Sequence, residues 1–181
     1  IGVRFRLPAG MEQVTYFGRG PEENYCDRNN GTLVGEYQAT AEQMYFPYVR
    51  PQENGHHTDT RWLMLKKKNG KGLAVYADGT LEFNSLRNSI EDFDGEEAVQ
   101  RDYQWNNRDA EELKHDVSTA KNIKPRHTHI NDITPRDFVE VCLDMRQMGV
   151  GGFDSWGAVP DPQYLIPANK EYQWGFTIVP M

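Results

Sequence analysis

The sequence predicts an all-β, mainly antiparallel domain, and three runs carry that expectation. Val3, Phe5 and Leu7 alternate with Arg4 and Arg6. Val139, Val141, Leu143 and Met145 alternate with Glu140, Cys142, Asp144 and Arg146, and Tyr172, Trp174, Phe176 and Ile178 alternate with Gln173, Gly175, Thr177 and Val179. A two-residue period places successive side chains on opposite faces of a strand, so each run offers one apolar face to a core. At 181 residues the chain can bury a sizeable core as one domain, without help from metals or disulfides.

In chain order, the strand around Val3 to Leu7 comes first. RWLMLKKKNGKGLAVYA, residues 61–77, reads as two strands joined at Asn69-Gly70, a pair that accepts positive backbone dihedrals and suits a tight hairpin. The basic run Lys66 to Lys68 belongs to its solvated tip. From about Asp92 to Lys124 the composition turns charged and helix-tolerant without a clean 3.6-residue apolar stripe, which predicts an insertion with a helical turn or two. The strand Val139 to Met145 follows, and the run from Tyr172 closes the chain before Pro180. No internal repeat or low-complexity tract interrupts this order, so 1–181 is expected to be a single all-β domain.

Composition removes several function classes. A net charge of −7 argues against a nucleic-acid partner, because phosphate binding is driven by clustered Lys and Arg. No apolar run approaches the roughly 20 residues that span a bilayer, so no membrane partner is expected. Cys26 and Cys142 lie too far apart in sequence for a CxxC or zinc-finger pattern. The compartment, cytoplasm or periplasm, is left open.

Candidate chemistry starts with carboxylates. A retaining glycosidase needs two of them about 5 to 5.5 Å apart, and Glu22, Glu23, Glu53 and Asp59 all stand near turn residues, where holding a loop by hydrogen bonds is the favoured alternative. His56-His57 and His127-Thr128-His129 invite a metal reading, since residues two apart on a strand face the same way. One histidine could equally act as a base in sugar-anomer interconversion. Stretches 16–28, 44–55 and 148–157 mix aromatic rings with Gly, Pro and rigid hydrogen-bonding groups, which suits either a sugar-binding surface or a loop held by Arg19, Glu23 and Asp27. Trp156 stands out in MGVGGFDSWG, where glycines permit close turns and apolar company is scarce beyond Phe153. The residues alone leave it open between its own core and a ligand or partner.

Five segments, YFGRGPEENYCDR, MYFPYVRPQENG, TRWLML, QMGVGGFDSWG and YQWGFTIVP, occur in an order that resembles the C-terminal, small-chain domain of multidomain β-galactosidases of the lacZ type, in glycoside hydrolase family 2. The resemblance runs from about Phe5 to Pro180. It implies a supersandwich shared with galactose-mutarotase-like domains, following other domains that include a catalytic (β/α)₈ barrel holding both catalytic glutamates. This chain would then contribute no catalytic residue. Trp156 would be its substrate-binding residue, with Asp154 and Phe153 as neighbours. No cofactor or metal is expected in this chain, Mg and a monovalent cation being expected in other domains of the parent enzyme.

Expected partners are a galactoside, the other domains of the same polypeptide and, through exposed sheet edges, further copies of the chain. Two departures stand out: Phe153 replaces the first aspartate of the family's Asp-Asp-Ser-Trp, and the charged segment before His127 and His129 looks longer than in relatives. The resemblance also implies that the domain begins upstream of Ile1.

Overall fold

The computed structural model describes residues 1–93, 130–154 and 157–181. Seven strands form one antiparallel sheet: β1 (Gly2–Pro8), β2 (Gln13–Gly20), β3 (Leu33–Thr40), β4 (His57–Lys66), β5 (Gly72–Leu86), β6 (Phe138–Asp144) and β7 (Phe176–Pro180). The spatial order is β1-β6-β5-β4-β2-β3, and β7 pairs with the first half of β5. The domain is therefore all-β and sandwich-like, as the alternating runs predict. Chain contacts divide it into two compact units. The first, residues 1–46, 53–88 and 135–181, holds every strand among the described residues; the second comprises 47–52 and 89–134. Of the second, the described part includes a short helix α1, Ile90–Phe93, whose Ser89 N–H donates to Asp92 Oδ2 at 2.9 Å. The insertion expected at 92–124 otherwise lies outside the described residues.

The core follows the period-two pattern. Val14 and Tyr16 of β2, Leu63 and Leu65 of β4, Val75, Leu81 and Phe83 of β5, and Val139, Val141 and Leu143 of β6 are buried. Full burial of one such aliphatic side chain stabilises by about 1.5 to 3 kcal/mol. β6 lies between β1 and β5, so both its edges are paired, and Glu140 is buried on the face opposite Val139, Val141 and Leu143. Arg6, directly across the β1–β6 register, donates from Nε to Glu140 Oε2 at 2.8 Å, and Arg4 Nη1 lies 3.6 Å from Oε1. The polar half of the first alternation is thus a partner set for one buried carboxylate.

Four local differences from the sequence reading have physical causes. The hairpin is present, pairing Lys66 with Gly72, but only Gly70 has a positive φ, 87°. Gly70 N–H donates to Lys67 O at 2.9 Å and Lys67 N–H to Lys71 O at 2.8 Å. The turn is hence a longer one with a single left-handed residue, and Asn69 uses its side chain to accept from Lys71 N–H at 3.2 Å. The closing strand is shorter than expected: Tyr172 and Trp174 precede β7. Gly175 O accepts from Asp78 N–H at 2.9 Å, beside the bend at Gly79 (φ 97°) where β5 leaves β7 and goes on to β6. β7 is also largely exposed, with Ile178 and Val179 uncovered. β2 runs into sequence that reads as a polar-aromatic stretch, because its glycines and rings mask the inward row Val14, Tyr16, Gly18 and Gly20, and β3 carries none of the alternating runs that the sequence reading singles out.

Candidate functional site

Three sequence-distant loops meet at one end of the sheet: the segment after β2, residues 21–28; the segment entering β4, residues 53–57; and the glycine loop after β6, residues 145–152. Each is tied to another by hydrogen bonds from its backbone groups. Asn24 N–H donates to His56 O at 2.7 Å, while Asn24 Oδ1 accepts from Thr58 N–H at 3.0 Å and from its hydroxyl at 2.6 Å. Glu23 Oε2 accepts from Gly55 N–H at 2.6 Å, and its Oε1 takes Arg28 Nη2 at 2.8 Å. Asp27 Oδ2 accepts from Gly151 N–H at 2.7 Å. Charged acceptors on amide donors are the stronger class of such bonds, so these ties fix the loops rather than decorate them.

The glycines have a steric cause here. A Cβ at Gly149 would stand 2.4 Å from Asp27 Oδ2 and 3.0 Å from Tyr164 Cβ; one at Gly151 would stand 3.0 Å from Asp27 Oδ2. At Gly152 the obstacle is Ala158, whose carbonyl oxygen would lie 2.9 Å away. The loop thus closes around one carboxylate, and side chains at 149 and 151 would push it off. Gly149 N–H donates to Tyr164 O at 2.9 Å and holds the far side.

Beneath the loop lies a second carboxylate tie. Glu82 Oε2 accepts from Gln147 N–H at 2.6 Å and lies 3.0 Å from His56 Nε2. Glu82 and Asp144 are directly opposite one another in the β5–β6 register, an arrangement of like charges that costs stability unless something relieves it. His56 is the nearby group suited to relieve it. Burial raises the pKa of Asp144 above the ordinary carboxylate value, with His56 opposing, and burial likewise raises that of Glu53, again against His56. Glu53 Oε1 and His56 Nδ1 are buried without a hydrogen-bond partner among the described residues. His57 faces two carbonyls, Gly55 O at 3.1 Å from Nδ1 and Pro21 O at 3.2 Å from Nε2. Both would favour an imidazolium, yet burial outweighs them and lowers its pKa to about 4, so the ring is neutral at neutral pH.

The expected site residues are placed as follows. Glu23 is a loop anchor, and Asp59 pairs with Arg19 Nε at 2.5 Å at a bulged, positive-φ position of β4. Arg19 Nη1 donates in addition to Thr32 O at 2.8 Å. Glu22 is exposed. The reading of Arg19, Glu23 and Asp27 as loop holders therefore describes what these residues do, and a catalytic pair among Glu22, Glu23, Glu53 and Asp59 has no such support. His56 and His57 are buried, and no group of three or more His, Cys, Asp or Glu among the described residues could hold a metal ion. His127, His129 and Trp156 lie outside the described residues. Phe153 is 92% exposed, and Asp154 Oδ1 accepts from Ala158 N–H at 3.3 Å. Sequence reasoning missed Glu82 and Gln147; the one trace of Glu82 is a carboxylate set between Leu81 and Phe83 in an apolar strand.

Comparison with known proteins decides the family. The model described as β-galactosidase small chain matches residues 1–178. The chain belongs to the β-galactosidase small-chain family. A β-galactosidase of Priestia megaterium is 30% identical over 181 residues, covering the whole chain and 14% of that relative. A β-galactosidase of Streptococcus thermophilus is 31% identical over 182 residues, the whole chain and 15% of the relative. One from Arthrobacter reaches 40% over 78 residues, 43% of this chain and 8% of its own length. This small-chain domain therefore spans about a seventh of the relatives it matches from end to end.

Proposed function

We propose that the chain acts as the non-catalytic C-terminal domain of a lacZ-type β-galactosidase of glycoside hydrolase family 2, a retaining hydrolase of terminal β-galactosides such as lactose. In this reading it has the supersandwich architecture, supports assembly of the enzyme and completes the sugar site with the loop that carries Trp156, next to Phe153 and Asp154. The observation that carries it is a loop clamped at its root and uncovered at its tip: Gly151 held on Asp27, and Phe153 at 92% exposure two residues on. A rigid base with an exposed aromatic end suits presentation to a flat, apolar sugar face. In this reading the bond-breaking carboxylates belong to another part of the polypeptide, and the pairing of Glu23 and Asp59 with arginines is in keeping with it.

Replacing Trp156 with Ala in the full-length enzyme is expected to raise KM by roughly fivefold while leaving kcat nearly unchanged, as loss of a stacking contact of about 1 kcal/mol requires. Unchanged KM and kcat would sink the role. A stand-alone carbohydrate-binding or mutarotase-like activity has one observation in its favour, the 3.0 Å contact of His56 with Glu82. A general base must reach the proton it takes, and His56 is fully buried. Polarimetry of galactose with the isolated chain is expected to show no acceleration of anomer interconversion.

A further inference from the structure

We propose that Asp27 is the positioning residue of the glycine loop, its carboxylate acting as the post around which residues 149–151 are wound and by which the loop's tip is aimed. The inference rests on the reading that this loop faces the sugar, and it adds a residue from a segment 124 positions away in sequence. Three features support it together. Asp27 Oδ2 receives Gly151 N–H at 2.7 Å. Both Gly149 and Gly151 face the same carboxylate: a Cβ on Gly149 would stand 2.4 Å from Asp27 Oδ2 and could not be placed without moving it, and one on Gly151 would stand 3.0 Å away, tight enough to press on it. The segment bearing Asp27 is itself immobilised next door: Tyr25 stacks on His56 at 5.2 Å between ring centroids, Tyr25 and Arg28 exchange backbone hydrogen bonds, and Cys26 Sγ reaches Gln147 O at 3.5 Å.

A post is only useful if its base is fixed, and this one is fixed to the sheet through His56 and Glu82. Glu82 holds Gln147 N–H at 2.6 Å, which fixes the loop where it leaves the sheet. Asp27 holds it four residues later. Between these two ties the backbone has little freedom, and the direction in which residues 152–154 depart follows from them. Asp27 touches no reacting atom in this scheme; it acts through the loop.

The test is a mutant cycle in the full-length β-galactosidase polypeptide carrying this chain, with KM and kcat measured separately. Asp27→Ala is expected to raise KM by up to about fivefold, no more than Trp156→Ala does, because Asp27 acts only by aiming the loop that carries the indole. kcat should stay within about twofold, because uniform binding rather than the chemical step is affected. Asp27→Asn, which keeps an acceptor for Gly151 N–H, is expected to restore most of the loss. Gly151→Ala should also raise KM, yet add nothing in the Asp27→Ala background, since among its neighbours only Asp27 lies within 4 Å of that Cβ.

Strictly additive effects of the two substitutions would overturn the proposal. So would an unchanged KM in Asp27→Ala when Trp156→Ala raises it. If Trp156→Ala is silent as well, the sugar-facing reading of the loop fails first and takes this inference with it. Should Asp27→Ala give no folded enzyme, Gly151→Ala alone decides: a raised KM in a folded protein supports the post, and an unchanged one removes it.

Discussion

Two of the glycine turns that follow strands need glycine for different reasons. At the tip between β4 and β5, Gly70 has a φ of 87° and nothing within 4 Å of where a Cβ would stand. At the loop after β6, Gly149 and Gly151 have no positive φ, but a Cβ would meet the Asp27 carboxylate at 2.4 and 3.0 Å respectively. One glycine answers to its own dihedral angle; the others answer to a neighbour from far along the chain. The first turn can be judged from a tetrapeptide, and the second only from the folded domain. The same contrast separates a solvated lysine-rich tip from a corner built of buried carboxylates and histidines.

The comparison is tested most severely by pH. His57 at the corner has a pKa lowered to about 4 from 6.5 by burial. A group whose protonation is suppressed on folding contributes stability that is fully present above pH 6.5 and is lost as pH falls toward 4. The difference corresponds to roughly 3 kcal/mol. Urea denaturation of the chain between pH 7 and pH 4 should show this loss, and His57→Gln should flatten that part of the profile. Glu53 and Asp144 work in the opposite sense. Their raised pKa values stabilise the fold below the ordinary carboxylate range, and this contribution disappears as pH rises through the raised values. A profile that His57→Gln leaves unaltered would show that the corner histidine is not the neutral, buried group described.

Next in size is Gly149→Ala, where Asp27 Oδ2 and Tyr164 Cβ both stand in the way of the new methyl. Overpacking of this kind costs about 1 to 3 kcal/mol, and the site lacks room to yield because Gly149 N–H is bonded to Tyr164 O at 2.9 Å. A drop in the urea midpoint at unchanged slope is the expected result. No drop would mean that the loop can slide off Asp27 freely, contrary to the clamp at Gly151.

How much of this could be read beforehand divides along the same line. β1 and β6 were legible because their apolar residues alternate, which depends only on the local pleat, and the β4–β5 hairpin because Asn69-Gly70 marks a turn between two apolar runs. The length of β7 was not, because its start depends on Asp78 meeting Gly175 O across the bend at Gly79. β2 was hidden by its own composition: YFGRG looks like loop sequence, although Tyr16 and Gly18 lie in the inward row and Phe17 stacks on Trp62 on the opposite face. At the corner, Asp27 and Gly151 were both marked by unusual neighbours, but no local rule joins residues so distant. Glu82 and Asp144 likewise became a pair only through strand register. The family was readable from motif order alone, since five short segments in sequence constrain one another more than any of them constrains a side-chain contact.

The smallest expected effect is also the sharpest test of the contrast. Gly70→Asn should cost the chain no more than a few tenths of a kcal/mol, because asparagine enters the left-handed region more readily than other side-chain-bearing residues and open space surrounds the position. Gly70→Ala should cost about 1 kcal/mol, the left-handed penalty for a residue with a Cβ and no compensating local hydrogen bond. At Gly151 the order should reverse, since the obstacle there is a carboxylate and not a dihedral angle: Ala and Asn would both press on Asp27, and Asn, being larger, would be the worse of the two. Urea midpoints of the four variants measured side by side decide it. An asparagine that rescues position 151 as well as position 70 would mean that both glycines serve backbone conformation after all.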